Sequence, residues 1–275
     1  MVEARLQAKG PFSLRLTFWT DTWKVELPAG WASARQLPDG TVVVRASSER
    51  AVAESRFVLG LDDDTSDFHR RFARDPLLGP AVRTLRGLRP RRTATVAHAA
   101  LKAVCGQLVQ SSRARELERS VIRRTGERVP TCESLAGLSP AALCACGLAP
   151  SRAAALARLV RTLDLERLRK VPGAGPLRRL AREGGIGPWS VGVIALAGLG
   201  RYDYGLVGDL GLVKLQAALT GVWPAEGETA SLLAPYEEWQ GLASVFLLSA
   251  FARGLVPGAS RDRARLARAV AQRAA

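Results

Sequence analysis

The stretch Glu183 to Ser190 reads EGGIGPWS, three glycines and a proline within five residues and then a tryptophan. Glycine is cheap where the backbone takes a positive φ or another molecule must come close, and proline suits the first turn of a helix. The segment before it, PLRRLARE, has helical spacing, and the one after it, WSVGVIALAGLG, is an apolar helix. The order is helix, hairpin, helix. Such a unit aims free backbone N–H groups and a helix N-terminus at one anion, although it can also be a plain helix connection. A second glycine-rich turn, VPGAGP at Val171 to Pro176, is less well placed. Twenty positions beyond Trp189 stands Asp209, an acid inside the apolar run RYDYGLVGDLGLVKL and just before a further helix. An aspartate there can cap the helix, act as a reactive carboxylate, or do both.

Composition says which anion is meant. The 275-residue chain carries a formal net charge of +15, and lysine occurs only at 9, 24, 102, 170 and 214, so the excess is arginine. Nucleic acid is the commonest partner for such an excess, and arginine suits bidentate phosphate contacts, although a coding bias toward arginine explains the choice equally. Arg83, Arg86, Arg89, Arg91 and Arg92 form the densest cluster, either a DNA-facing or a solvated face. Cys105, Cys132, Cys144 and Cys146 lack CxxC spacing and have only His69 and His98 for company, which argues against a metal or iron–sulfur centre. Unpaired cysteines fit a reducing interior. No apolar run reaches the roughly 20 residues that cross a bilayer, so the expectation is a cytoplasmic, nucleoid-associated protein without a membrane partner.

The elements that must position these residues change type along the chain. Up to about residue 60 the pattern reads as sheet, with SLRLTFW (Ser13 to Trp19), TWKVEL (Thr22 to Leu27) and TVVVRA after the turn LPDG as strands. LDDDTSDFHRRF (Leu61 to Phe72) has helical spacing with Asp64 or Thr65 as N-cap, and its acids read as capping and solvated rather than metal-binding. Beyond Asp75 the period is helical almost throughout. Helices are broken by Pro130, Pro140 and Pro150, fill Ala230 to Phe251, and return in the arginine-rich end, Arg261 to Arg273.

The motif GIGPW, its spacing to GDLGL and the run GQLV (Gly106 to Val109) together resemble the helix-hairpin-helix (HhH-GPD) DNA glycosylase superfamily, in its 3-methyladenine DNA glycosylase II branch. PTCESLAGLSPAAL and EEWQGLASVFLL add to the resemblance, which covers roughly Asp64 to Phe251 and, more faintly, the N-terminal sheet domain. The resemblance implies that Asp209 is the catalytic carboxylate beside the anomeric carbon. Breaking an N-glycosidic bond builds positive charge on the sugar, so a fixed carboxylate there stabilises the transition state and can orient the attacking water. It implies that Trp189 and Trp239 line a pocket for a cationic alkylated base, that Gly185 and Gly187 grip the DNA backbone, and that Leu108, with Gln107 beside it, is the wedge filling the space of the flipped base. A buried core leucine is the other reading of Leu108. GQLV is placed at the start of a long helix. Bifunctional relatives carry a lysine just after the hairpin where this chain has Trp189, and without an amine no imine forms, so the expected enzyme is monofunctional. The chain departs from the family at Val193, where some relatives have an aromatic, and at Gln240, Gly241 and Leu242, where arginine, serine and tyrosine are usual.

The resulting expectation is an α+β chain. An N-terminal antiparallel β-sheet domain (1–72) precedes a middle helical domain (96–200) ending in the helix-hairpin-helix, and a second helical domain (73–95 with 201–275) carries Asp209. The expected activity is hydrolysis of alkylated purines from double-stranded DNA with a flipped damaged base, by a monomer, initiating base excision repair. No cofactor is expected beyond the monovalent cation that the family's hairpin often holds through carbonyl oxygens. A non-catalytic binder of damaged DNA and a glycosylase for oxidised or deaminated bases are the alternatives.

Overall fold

The structure, a computed structural model, describes residues 1–274. Four strands, β1 (Val2–Leu6), β2 (Thr22–Leu27), β3 (Gly30–Gln36) and β4 (Val42–Ala46), form one antiparallel sheet in the order β1-β4-β3-β2. Ala4, Val44, Ala34 and Trp23 stand opposite one another across it. This apolar row is covered by the helix Glu49–Leu59, which contributes Ala51, Val52, Val58 and Leu59 to the same core.

The expectation of sheet throughout the first sixty residues is corrected in two places. Besides the helix Glu49–Leu59, the stretch Ser13 to Trp19 is not a strand but the short helix Leu14–Phe18. The Ser13 side chain accepts from the Leu16 amide, and Trp19 closes the turn in the left-handed region at φ 62°. SLRLTFW alternates, yet its buried residues are Leu14 and Thr17, a spacing of three that fits one helical turn. The Leu14 amide donates to Gln36 Oε1 at 2.9 Å, so the segment seats across a strand end instead of joining the ladder. β1 and β3 were not anticipated as individual strands.

The remainder is helical, as the period after Asp75 indicates. At Ser66–Phe72 the N-cap position is Thr65, but its side chain makes no cap bond; Asp64 Oδ1 instead accepts from the Ser66 amide at 2.9 Å. Val96–Gly106 is the axis of one core: alanines at 97, 99, 100 and 103 let neighbouring helices close on all sides. Its N-terminus is held twice over. Thr95 Oγ1 accepts from the His98 amide at 3.0 Å, and Glu166 Oε1 accepts from the Val96 and Ala97 amides at 2.7 and 3.1 Å. A second core joins Phe68 and Phe72 to Leu212, Leu215, Leu242 and Phe246, fixing the helices Leu210–Thr220 and Gln240–Arg253.

Two of the clustered arginines are buried rather than solvated. Arg89 is 1% exposed and donates to the carbonyls of Lys9, Pro11 and Gly60. Arg92 pairs with Asp63 at 2.6 Å and donates to the Gly200 and Phe57 carbonyls. A guanidinium has five donors in a planar fork, so several carbonyls from different segments can replace its water. These two residues therefore fasten the sheet to the helices.

Candidate active site

The glycines of EGGIGPWS form the expected turn between the helices Gly175–Ala181 and Pro188–Val193. Gly185 lies at φ +84°, and a Cβ there would come 2.7 Å from the Ala155 Cβ, so both its conformation and its approach to the helix Pro150–Thr162 demand glycine. Between the exposed Gly185 and Gly187, Ile186 turns inward at 4% exposure and anchors the hairpin in the first core. Gly187 is the N-cap and Pro188 the first helical residue. Among the described residues the Gly185 and Gly187 amides make no hydrogen bond, and both residues are exposed.

GQLV is at the end of the helix Val96–Gly106, not at the start of one as expected; the next helix begins only at Ser111. The reason is local. Gln107 leaves helical geometry with φ −60° and ψ 124°, and Leu108 takes φ +52°. Gln107 is turned toward the hairpin, where its Nε2 donates to the Gly185 carbonyl at 2.8 Å and to Ser190 Oγ at 2.9 Å. Leu108 is 99% exposed, so it is no core leucine. A bulky residue in the left-handed region with its side chain wholly in water carries backbone strain that folding alone does not explain.

Asp209 is the N-cap of Leu210–Thr220, its Oδ1 accepting from the Gly211 amide at 2.8 Å. Its other oxygen, Oδ2, accepts from Trp189 Nε1 at 2.9 Å. One carboxylate is thus gripped from two sides, by its own helix and by the first turn after the hairpin. It is half-buried, between the exposed Gly208 and Leu210, and keeps open lone pairs for a further partner. The indole of Trp189 lies against Gly106, where a Cβ would approach its Cη2 to 2.6 Å. Gln107, Gly185, Trp189 and Asp209 therefore form one continuous set of contacts.

Trp239 is placed differently. Half-buried in the second core, it stacks on Tyr202 with centroids 5.8 Å apart and meets Phe68 at 5.7 Å, and its buried Nε1 has no acceptor among the described residues. The Tyr202 hydroxyl donates to Asp63 Oδ2 at 2.5 Å, and burial pushes its phenol upward. Reading the sequence missed Gly106 and Ser190, which touch Trp189 and Gln107, and Tyr202, which stacks on Trp239. Only Gly106 left a signal, as the first letter of GQLV. At Gly241 a side chain would meet the Tyr204 carbonyl at 2.7 Å, so the departure from the usual serine follows from close packing of this helix on residues 202–204.

No protein-family model matches the chain, and no curated protein matches it by sequence. Solved structures do match. A 3-methyladenine DNA glycosylase from Archaeoglobus fulgidus superposes with a TM-score of 0.78 at 18% identity, over 91% of this chain and 98% of that one. An 8-oxoguanine glycosylase/lyase from Clostridium acetobutylicum, in complex with double-stranded DNA containing cytosine opposite 8-oxoguanine, gives 0.75 at 16% identity over 91% and 98%. A DNA-3-methyladenine glycosidase from Bacillus halodurans gives 0.53 at 19% identity over 68% and 90%. The chain has the fold of the helix-hairpin-helix DNA glycosylases.

Proposed function

We propose that the protein is a monofunctional DNA glycosylase that hydrolyses the N-glycosidic bond of alkylated purines in double-stranded DNA and so initiates base excision repair. The observation that carries this reading is the 2.9 Å hydrogen bond from Trp189 Nε1 to Asp209 Oδ2, which joins the hairpin unit to a carboxylate on the neighbouring helix. A carboxylate fixed by two N–H groups needs no reorganisation when positive charge develops on the sugar, and that preorganisation lowers the barrier. Asp209 also accepts the proton of, or orients, the water that attacks the anomeric carbon. Leu108, exposed and strained, fills the duplex when the base leaves it, and the free amides of Gly185 and Gly187 hold the backbone nearby.

The alkylated-purine assignment is supported by Trp189, an indole bonded to the carboxylate, since an aromatic face attracts a cationic base without a general acid; Trp239 would have to serve from the second core, where it stacks on Tyr202. The absence of lysine from Val171 to Val213 supports hydrolysis without an imine step. Incubation with methylated duplex DNA tests the whole reading: free methylated base and alkali-labile, uncleaved strands are expected. Strand nicking without alkali would remove the monofunctional assignment. A panel of oligonucleotides carrying 8-oxoguanine, hypoxanthine or uracil separates this reading from a glycosylase for oxidised or deaminated bases. Binding without release of any base identifies a damaged-DNA binder.

A further inference from the structure

The resemblance implies a monovalent cation held by hairpin carbonyls, and the residues present do not fit one. Three consecutive hairpin carbonyls already accept hydrogen bonds within the chain. Glu183 accepts from the Ile186 amide at 3.0 Å, Gly184 from Arg158 Nη2, and Gly185 from Gln107 Nε2 at 2.8 Å. A cation needs several oxygens converging on it, and N–H hydrogens bring positive charge into the same space. One of these donors is itself a full cation. We propose that the Arg158 guanidinium takes the place of the hairpin cation in this chain and adds a direct contact to the DNA phosphate gripped there.

The geometry supplies both halves of that role. Arg158 lies on the helix Pro150–Thr162, one turn beyond Ala155, the residue that touches Gly185. A Cβ at Gly184 would stand 3.0 Å from Arg158 Nη2, so the guanidinium lies directly against the backbone of this residue. Arg158 is exposed and, among the described residues, pairs with no carboxylate, whereas Arg179 nearby is neutralised by Glu183 at 2.8 Å. One N–H group of its fork is used on Gly184, the residue just before Gly185. The others have no carboxylate partner among the described residues and stay available to a phosphate oxygen, which an arginine contacts bidentately.

This inference rests on the reading of the hairpin as a grip on DNA, and the test separates the two. Binding of the full chain to a fluorescent duplex is measured in potassium, sodium and tetramethylammonium chloride at equal ionic strength. Equal affinity in all three is expected. Arg158→Ala is expected to weaken binding about 3- to 10-fold and to lower the salt slope by about 0.9, the share of one phosphate. Tighter wild-type binding in potassium than in tetramethylammonium overturns the proposal, as does an Arg158→Ala protein with unchanged affinity and slope. A thallium(I) anomalous peak among the hairpin carbonyls of the DNA-free crystal also overturns it and leaves the DNA reading intact. No binding in any salt fails the hairpin reading itself, and the proposal with it.

Discussion

Asp209 has two jobs that substitution can separate. Asparagine keeps an oxygen for the Gly211 amide but must turn its NH₂ toward the Trp189 N–H or give up the cap, so Asp209→Asn is expected to cost about 1 kcal/mol of stability. Base release is expected to fall about 10²- to 10³-fold with DNA binding retained, because the fixed charge is lost; single-turnover release and a melting curve on the same protein check both. Gly106→Ala tests the same contacts from the other side. Its Cβ would stand 2.6 Å from the Trp189 ring, so the indole must move and carry its bond to Asp209 with it. The expected cost is about 1–3 kcal/mol, with a larger loss in base release than in DNA affinity. His69 gives the fold a pH dependence of its own. Burial, with Arg86 and Arg89 charges nearby, holds its imidazole below 6.5, against the opposing pull of the Val82 carbonyl. The neutral form is the folded one, so this stability is complete above about pH 6.5 and is lost as pH falls below it. Urea midpoints between about pH 7 and pH 5 should decline in the wild type and decline less in His69→Leu. Asp209 and the hairpin were legible because few roles suit an acid in an apolar run or clustered glycines beside a proline. Gly106, Ser190 and Tyr202 were not, since small or aromatic residues in apolar helices look like any core.

The elements were read with uneven success, and the failures share a cause. Ser13 to Trp19 alternates like a strand, but the decisive contacts, Leu14 to Gln36 and Ser13 to Gly87, come from segments far along the chain. A short pattern cannot report partners at that distance. The resemblance placed GQLV at a helix start, and the apolar period, which runs on through it, shows no break there; the break accompanies Gln107 bonding to a hairpin some 78 positions away. Arg89 and Arg92 misled for a complementary reason, since charge in sequence says nothing of burial. Their structure yields a prediction at this level. Arg92→Met removes one partner of a nearly buried pair, leaves the Asp63 charge with only the Tyr202 hydroxyl, and takes donors from the Phe57 and Gly200 carbonyls that link sheet and helices. Loss of about 3–5 kcal/mol is expected, read by urea denaturation. The Asp63→Asn, Arg92→Met double variant should recover part of it, because the uncompensated carboxylate is then gone. An unchanged midpoint in the single variant would mean that the sheet does not depend on this clasp.

The charge of the entire chain invites an overestimate of how it holds DNA. A surplus of +15 spread over the surface would give a salt slope of about −13 if every unit met a phosphate. Much of the arginine is spent internally. Arg161 donates to the Ala136 and Leu138 carbonyls, Arg169 to Ala94 and Gly198, and Arg89 and Arg92 are buried. In the C-terminal helix Arg261–Ala274, which packs through Ala264 and Ala267 on Ala217 and Ala218, Arg261 donates to the Phe251 and Ala252 carbonyls and Arg263 to those of Ala218 and Leu219. These are helix C-termini, where a cation stabilises the dipole and satisfies orphan carbonyls. Such residues bring charge to the field but cannot also lie flat on a phosphate. If about six phosphates are neutralised, log affinity should fall against log salt with a slope near −5. The measurement is a potassium chloride titration of duplex binding. A slope near −13 would mean that the carbonyl-bound arginines release their partners on binding, and a flat line would remove DNA as the ligand. Because Arg261 and Arg263 cap the ends of helices, replacing both with glutamine should lower the melting temperature while leaving that slope within about one unit of the wild type.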